Sequence, residues 1–316
     1  MTNHSNGEVT SVTGSSTARS ANTHANDEPL LLRVRNLSKH YALGKSSRGK
    51  PAEVMKALDN VTFDCRRGET LGIVGESGSG KTTCARAVLR AVDPTSGEAL
   101  FNNRGRTVDL AKLSHRQLKP LRQEMQMVFQ DPFACLNPRM TVGDIVGEPL
   151  LIHGIGSRSA RRDRVAAMLE RVGLLPDHAS RYPHAFSGGQ RQRVGIARAL
   201  ILRPALLVAD EAVSALDVCV RARVLELLRE LRSEFGLTMM FVSHDLSVIR
   251  HICDRVLVMH RGRIMEMGDV EQVFNAPRHA YTKVLLSAIP HPDPDRKMHP
   301  LTVESLSPAE LEPLPM

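Results

Sequence analysis

Short apolar runs alternate with helical patterns through most of the chain. We predict strands over residues 30–35, 61–65, 70–74, 125–129, 205–209 and 237–242. A helix is predicted from about residue 80 to residue 92, after a glycine-rich loop that follows the third of these strands. Strands that alternate with helices usually form a largely parallel sheet, because a parallel connection needs the length of a helix. The pattern therefore predicts an α/β fold.

One stretch, from about residue 132 to residue 200, interrupts the alternation with helical patterns alone. Within it, Ser157 is a candidate N-cap, and Gly173 is a candidate end of the same helix. The apolar positions between them follow helical spacing, at Val165, Met168, Leu169 and Val172. We therefore expect a helical subdomain inserted into the α/β core.

Both ends of the chain differ from this middle part. Residues 1–29 are rich in Ser, Thr, Asn and Gly and carry few large apolar side chains, so we expect them to be disordered. The segment that begins at Pro290 is rich in proline, and its composition predicts an extended or loosely attached tail.

The charge and the aromatic content narrow the possible partners. The 316 residues carry a formal net charge of +8, but their Arg residues are dispersed, which favours a solvated surface with some attraction to phosphate ligands and lipid headgroups. Aromatic residues make up 3% of the chain and Trp is absent, which counts against stacking on single-stranded nucleic acid.

Cysteine and hydropathy patterns bear on the compartment. The five cysteines are odd in number and form no C-x-x-C pair, which favours reduced thiols over disulfides or a zinc site. The sequence has no apolar run of about 18 residues and no apolar signal-peptide core. We therefore expect a protein that is soluble by itself and reaches a membrane only through partners.

A glycine-rich segment follows the strand predicted over residues 70–74. It reads Gly75-Glu-Ser-Gly-Ser-Gly-Lys-Thr-Thr83, which matches G-x-x-x-x-G-K-[ST] in the required setting between a strand and a helix. Its glycines allow backbone N–H groups to surround phosphate oxygens, and the following helix points its positive end at them. Lys81 should reach the β- and γ-phosphates, and the Thr82 hydroxyl should bind Mg²⁺. The competing interpretation, an ordinary flexible turn, is weakened by the setting.

Two acids end the apolar run over residues 205–209. Asp210, at the end of the strand, is placed where a carboxylate suits Mg²⁺, with a water between them. Glu211 should point in another direction, and it is the candidate for polarising an attacking water. An acidic pair after a strand is often only the start of a loop. The functional interpretation of this pair therefore depends on the phosphate loop upstream.

With these motifs in place, Ser187-Gly188-Gly189-Gln190 resembles the signature sequence of the ABC ATPases. The resemblance covers about residues 30–290. It implies a P-loop NTPase cassette at 30–275, with a mostly parallel core sheet, an antiparallel β subdomain and an inserted α-helical subdomain at about 132–200. Residues 276–316 would form a short C-terminal extension. In this family the signature contacts the γ-phosphate bound to the opposite subunit, so two cassettes sandwich two nucleotides.

Further landmarks of the family occur in the expected order. Gln130 resembles the Q-loop glutamine, residues 214–217 resemble the D-loop, and His244 resembles the switch histidine. Tyr41, just after the first predicted strand, is placed like the aromatic residue that stacks on adenine.

The resemblance assigns roles to these residues. It implies nucleotide contacts from Tyr41, Gly75, Ser77, Gly78, Gly80, Lys81, Thr82, Thr83, Ser187, Gly188, Gly189, Gln190 and Asp217. It implies catalytic roles for Glu211, His244 and Gln130, and Mg²⁺ contacts from Thr82, Gln130 and Asp210. ATP and Mg²⁺ are the expected ligands.

Several stretches are similar to the peptide/nickel importer group of this family. They are residues 126–133 and 136–139, Phe186 before the signature, residues 214–218, and Tyr281-Thr282. Ala212 departs from the family pattern, which usually has Pro after the catalytic Glu. Many relatives carry a Cys-containing C-terminal segment that can hold an iron–sulfur cluster, but the last cysteine here is Cys253, so we predict no cluster.

The expected function is therefore ATP hydrolysis that energises uptake of di- or oligopeptides, nickel or related small solutes. The expected partners are a second ATPase subunit, identical or paralogous, two integral-membrane permease subunits and, indirectly, an extracytoplasmic solute-binding protein. The expected location is the cytoplasmic face of the cell membrane. Three alternatives remain open: an ABC ATPase that acts on nucleic acid, a regulatory module with little hydrolysis, and an export system. We expect no nucleic-acid partner.

Overall fold

The computed structural model describes residues 30–43, 53–103, 105–288 and 301–314. The predicted disorder of residues 1–29 and the first part of the proline-rich tail lie outside the described residues. The strands are β1 (Leu30–Leu43), β2 (Glu53–Arg66), β3 (Thr70–Val74), β4 (Ser96–Asn103), β5 (Arg106–Asp109), β6 (Met125–Val128), β7 (Leu206–Asp210), β8 (Thr238–Val242), β9 (Arg255–His260) and β10 (Arg263–Asp269).

The helices lie between these strands and after them. They are α1 (Lys81–Val88), α2 (His115–Leu121), α3 (Pro132–Cys135), α4 (Val142–Ile152), α5 (Arg158–Arg171), α6 (Gly188–Leu200), α7 (Val218–Phe235), α8 (Leu246–Ile252), α9 (Val270–Asn275) and α10 (Ala280–Ser287). Short 3₁₀ turns lie at Leu110–Lys112, Pro176–Ser180, Pro183–Ala185, Val303–Ser305 and Pro308–Leu311.

Two sheets form the frame of the described residues. The larger sheet has the order β10-β9-β3-β8-β7-β6, in which β9, β3, β8, β7 and β6 run parallel and β10 pairs antiparallel with β9. The smaller sheet is antiparallel and has the order β2-β1-β4-β5. The predicted fold class, a mostly parallel core with an antiparallel β subdomain, is confirmed.

The larger sheet is buried on both faces, and its strands alternate between two hydrophobic clusters. In β8, Met240 and Val242 pack in the cluster that contains α1 and the smaller sheet, whereas Met239 and Phe241 pack in the cluster that contains α4 to α8. Central strands covered on both sides are expected to be apolar throughout, which is why they were readable from the sequence.

The predicted helical insertion is present between β6 and β7. Ser157 caps α5 by accepting a hydrogen bond from the Ala160 N–H, and Gly173 follows the helix with φ +71°. Because φ in this region favours glycine, the helix ends where the sequence indicated. Its predicted apolar positions are buried at Val165, Met168, Leu169 and Val172.

Several predicted bounds were too narrow or too wide. Strand β1 runs to Leu43 instead of ending near residue 35, and β2 begins at Glu53 instead of near residue 61. The outer parts of these strands pair with each other from Lys39 onwards. Helix α1 ends at Val88, because Arg90 adopts φ +53° just beyond it. Strands β4, β5, β9 and β10 were not predicted.

The last described segment packs against the large sheet. The Leu314 N–H donates to the Met265 carbonyl at 3.3 Å, and Arg263 forms an ion pair with Glu312 at 3.3 Å. Val303 packs against the core cluster. The prediction of a loosely attached tail is therefore wrong for residues 301–314. The proline content of this segment does not reveal its contacts with the sheet. The predicted cassette boundary at residue 275 falls at the end of α9 and stays a prediction.

Candidate nucleotide site

The phosphate loop joins β3 to α1, and two of its glycines are required by close packing. A Cβ atom at Gly75 would overlap the Met259 carbonyl oxygen, and one at Gly80 would lie 2.5 Å from the Ala57 carbonyl oxygen. Gly80 is also the N-cap of α1 and has φ +102°. The glycines that the motif needs for phosphate binding therefore also let the loop pack against β2 and β9.

Lys81 is folded back onto its own loop. Its Nζ donates to the carbonyl oxygens of Gly75 at 2.8 Å and of Glu76 at 2.7 Å. Burial lowers the pKa of Lys81, and the nearby carboxylates of Glu211 and Asp210 oppose that shift. The ammonium group is thus desolvated and bound by neutral groups of its own loop, the two carbonyls and the Ser79 hydroxyl at 3.5 Å, a state from which an anionic ligand can attract it.

Asp210 ends β7 next to the first turn of α1. Its Oδ1 accepts a hydrogen bond from the Thr82 hydroxyl at 2.9 Å, and its Oδ2 lies 3.5 Å from Arg86. Burial raises the pKa of Asp210, although the Thr82 hydrogen bond and Arg86 act in the opposite direction. A carboxylate and a hydroxyl at this distance supply the oxygen ligands that Mg²⁺ prefers, so the residues fit that ion.

Glu211 leaves the strand in a different direction from Asp210. Its φ is +49°, its N–H donates to the Val242 carbonyl at 3.0 Å, and its Oε2 lies 3.3 Å from Nδ1 of His244. A non-glycine residue at positive φ is uncommon and is concentrated at functional sites. The two neighbouring acids therefore contact separate partners, one in the phosphate loop and one after β8.

A cleft of about 850 Å³ brings most of the predicted residues together. The predicted residues in its lining are Tyr41, Ser77, Gly78, Gly80, Lys81, Thr82, Thr83, Gln130, Glu211 and His244. Asp210 lies behind the cleft, where its side chain is 2% exposed. Tyr41 lies within β1, opposite Met55, and not after the strand as predicted, because the strand continues past it.

The signature residues, Ser187 to Gln190, do not line this cleft in the described part of the chain. Ser187 caps α6, and its Oγ accepts the Gln190 N–H at 3.3 Å while the Gln190 side chain accepts the Ser187 N–H at 3.0 Å. A Cβ atom at Gly189 would overlap Val220 in the first turn of α7, the helix that Asp217 caps. The signature and Asp217 thus form a second surface, built from two adjoining helix N-termini.

Sequence reasoning missed three cations at the cleft. Lys56 and Arg261 are in its lining, and no motif marks them. Arg86 contacts Asp210, and this contact had a signal: Arg86 lies four residues after Thr82 on the same helix, so the two side chains share one face.

Two features are absent from the described residues. No group of three or more His, Cys, Asp or Glu side chains could hold a metal ion among them, so the predicted lack of an iron–sulfur cluster stays a prediction. The described part of the chain also contains no helix of the length and apolar character that crossing a bilayer requires.

Comparison with known proteins identifies the family. The ABC transporter family model matches residues 58–214, and the model for the oligopeptide/dipeptide transporter C-terminal region matches residues 265–313. A putative peptide import ATP-binding protein of Brucella ovis is 53% identical over 85% of this chain and 82% of its own. The oligopeptide transport ATP-binding protein OppF of Salmonella typhimurium is 49% identical over 84% of this chain and 79% of its own.

Solved structures agree with the sequence relatives. The dimeric, post-hydrolysis ATP-binding cassette MJ0796 bound to ADP and Pi superposes with a TM-score of 0.66 at 31% identity, covering 76% of this chain and 98% of that one. CbiO1 of Clostridium perfringens, part of an ABC transporter complex, gives a TM-score of 0.65 at 28% identity, covering 79% and 92%. The chain therefore belongs to the ATP-binding subunits of ABC transporters and is an ATPase of that family.

Proposed function

We propose that this ATPase energises the uptake of di- or oligopeptides, or of related small solutes, through partner permease subunits. The names of the relatives and the match to the oligopeptide/dipeptide C-terminal region support the substrate class. The observation that carries the proposal is the cleft in which Lys81, Thr82 and the Glu211–His244 pair converge.

The phosphate loop would bind the nucleotide. Its N–H groups and the N-terminus of α1 would surround the phosphates, and Lys81 would leave its carbonyl partners for the β- and γ-phosphates. Tyr41, with the Lys39 Nζ 4.9 Å from its ring centre, would stack on the base. Lys56 and Arg261 would add positive charge along the cleft.

Thr82 and Asp210 would hold Mg²⁺, with Gln130 contributing from the segment just after β6. When bound, the ion neutralises phosphate charge and helps to orient the transferred group. Arg86 keeps the Asp210 carboxylate aimed at the first turn of α1.

Glu211 would orient the attacking water and accept its proton, because it is the carboxylate in the lining of the cleft. His244 would hold Glu211 in place and donate to the γ-phosphate, since it lies 3.3 Å from Glu211 and its side chain is 58% exposed. Because His244 is so exposed in a single subunit, another surface would have to shield the site from bulk water during hydrolysis.

A second cassette would supply that cover. Ser187, Gly188, Gly189 and Gln190 form a donor-rich surface away from their own cleft, so they are suited to a nucleotide bound by the opposite subunit. The dimeric arrangement of MJ0796 supports this arrangement. Hydrolysis would then be slow until two cassettes close around ATP, with Asp217 at the contact between them.

The permease would contact the groove beside Gln130. This groove lies between β6 and helices α4 and α6, and it is lined by Phe129, Leu136, Gln192 and their neighbours. Phe129 is 40% exposed, so an apolar side chain is available there for a partner. We place the subunit on the cytoplasmic face of the cell membrane, with an extracytoplasmic solute-binding protein as an indirect partner.

Replacing Glu211 with Gln tests the hydrolytic part of the proposal. We expect E211Q to bind Mg-ATP within about twofold of wild type and to lose about 100-fold or more of its turnover, because the base is removed while the fold is kept. Binding is measured by calorimetry and turnover by phosphate release. E230Q, an exposed change on α7, is the control, and wild-type turnover in E211Q would refute the role.

Reconstitution with the cognate permease and binding protein tests the transport part. Proteoliposomes should take up labelled peptide only with ATP and wild-type subunit, and E211Q should abolish uptake. Uptake of nickel without peptide would redirect the substrate assignment. ATP hydrolysis stimulated by DNA or RNA and indifferent to the permease would contradict the proposal.

A further inference from the structure

The C-terminal extension reaches the phosphate loop through one side chain. Tyr281 lies in the first turn of α10, is completely buried, and accepts a hydrogen bond at its Oη from the Glu76 N–H at 3.3 Å. The two residues are 205 positions apart in the chain. A contact of this kind ties the loop to an element that is not part of the nucleotide cleft.

The phosphate loop separates two cavities. Ser77 and Gly78 line the nucleotide cleft and also line a second cavity of about 490 Å³, whose far wall is built by α10 and residues 301–304. The loop is therefore backed by the C-terminal extension and not by solvent alone. Because Ser77 and Gly78 line both cavities, contacts between the extension and the phosphate loop affect the shape of the nucleotide cleft.

Residue 76 is held at both of its backbone polar groups. Its N–H donates to Tyr281, and its carbonyl oxygen accepts from Lys81 Nζ at 2.7 Å and from the Ser79 N–H at 3.1 Å. A phosphate bound in the cleft would compete with this carbonyl for the N–H groups of Lys81. When the nucleotide draws Lys81 away, the Ser79 N–H still holds the residue 76 carbonyl, and Tyr281 is the acceptor that holds its N–H.

Tyr281 is itself fixed from several directions. The His260 ring centre lies 4.3 Å from the Tyr281 ring centre, and the Tyr281 N–H donates to His279 Nδ1 at 3.0 Å. Because Nδ1 accepts, the proton lies on His279 Nε2, which donates to the Glu312 carbonyl at 2.9 Å. The His279 N–H donates to the buried Glu266 carboxylate at 3.0 Å. Burial raises the pKa of Tyr281 to about 12, so its hydroxyl is neutral.

We propose that Tyr281 is a positioning residue for ATP binding: its hydroxyl holds the Glu76 end of the phosphate loop in its observed conformation when the nucleotide draws Lys81 away. The inference rests on the proposed role of the loop in binding nucleotide. Tyr281 touches no reacting atom, so it acts through the loop backbone. Without its hydroxyl, the Glu76 N–H loses a buried acceptor and the loop must be reordered at the expense of binding.

The expected signature is a loss of affinity without a loss of turnover. Tyr281→Phe removes one oxygen atom and keeps the ring against His260. We expect the Kd of the full chain for Mg-ATP to rise about fivefold to tenfold. In the reconstituted permease complex, kcat at saturating ATP should stay within about twofold of wild type, while KM rises with Kd.

Tyr182→Phe is the matched control, because it removes the same atom from an exposed tyrosine on the helical subdomain. It should leave Kd and KM unchanged. A merely structural role for Tyr281 would instead lower the thermal midpoint and the active fraction, with Kd unchanged. That result, or wild-type affinity in Tyr281→Phe, would overturn the inference.

A second variant tests whether Tyr281 acts through Glu76. Glu76→Pro removes the N–H that donates to the Tyr281 Oη. Proline requires a negative φ, and Glu76 is not among the residues with positive φ. In this background Tyr281→Phe should cost nothing further, because the shared bond is already absent. An additional fivefold loss would overturn the proposed route. Lys81→Ala tests the proposed nucleotide site separately from the role of Tyr281. If this variant binds Mg-ATP as well as wild type does, the proposed site is wrong, and the inference about Tyr281 is wrong with it.

Discussion

Gly189 and Gly195 lie on the same helix but in different surroundings. At Gly189 a methyl group would overlap Val220, whereas at Gly195 it would meet no atom within 4 Å. The signature glycine is thus fixed by packing between α6 and α7, independently of any ligand. The second glycine carries only the entropic cost of glycine in a helix.

We expect the two substitutions to change stability in opposite directions. Gly189→Ala should lower the free energy of unfolding by about 1–3 kcal/mol through overpacking. Gly195→Ala should raise it by about 0.4–1 kcal/mol by restricting the unfolded chain. Urea unfolding followed by circular dichroism measures both. Equal effects of the two changes would contradict the packing difference described here.

The sequence predicted the residues of the site better than their partners. Lys81 and Thr82 could be predicted because a strand, a glycine loop and a helix are contiguous in the chain, and Asp210–Glu211 because the pair ends an apolar strand. The bond between Tyr281 and Glu76 could not be found, because it joins residues 205 positions apart and no local pattern encodes it.

At the scale of elements, a buried ion pair joins β9 to the turn between β2 and β3. Arg255 Nη1 lies 3.2 Å from Glu69 Oε1, and the two side chains are 10% and 6% exposed. Glu69 also accepts the Arg66 N–H at 2.6 Å, and Arg255 donates to the Asp64 carbonyl at 3.4 Å. The pair therefore links β9 of the larger sheet to the end of β2 in the smaller one.

We expect Glu69→Gln to destabilise the protein by about 3–5 kcal/mol, because Arg255 would remain buried without its counter-ion. Asp64→Asn is the control, because it breaks the ion pair between Asp64 and Arg33. Both of these side chains are 41% exposed, so the loss in the free energy of unfolding should be less than about 1 kcal/mol. Urea midpoints measure both. A loss in Glu69→Gln no larger than in the control would show that Arg255 finds another partner.

Burial explains which elements were predictable. The fully buried strands β3, β7 and β8 were predicted because, apart from Asp210 at the end of β7, every position in them is apolar, Gly or Thr. The outer half of β1, from Lys39 to Leu43, is partly exposed and polar, and its strand conformation depends on pairing with β2. The local pattern of apolar and polar residues does not predict pairing between segments that are distant in the chain.

At the scale of the whole molecule, the C-terminal extension returns to the core through Glu266. Burial raises the pKa of this carboxyl, but hydrogen bonds from the Arg278 and His279 N–H groups and from nearby side chains outweigh burial, so its pKa in the folded state is lowered. The unfolded chain then binds more protons than the folded one. The stability that Glu266 provides is present above its ordinary value of 4.5 and is lost as the pH falls through the lowered value.

We expect Glu266→Gln to be less stable than wild type at pH 7 and to lose less stability on acidification below about pH 4.5. Urea unfolding at a series of pH values measures this slope. Glu230→Gln, on the exposed side of α7, should run parallel to wild type. A Glu266→Gln profile that also runs parallel would mean that other carboxylates carry the acid sensitivity.

The anchoring of the phosphate loop by Tyr281 has a consequence for biosynthesis. The ribosome completes Glu76 a full 205 residues before it adds Tyr281. At about 5–20 residues per second, this interval lasts roughly 10–40 s. During that time the nascent chain carries a glycine-rich loop whose backing has not yet been translated, and nucleotide affinity should therefore be among the last properties that a newly made subunit acquires.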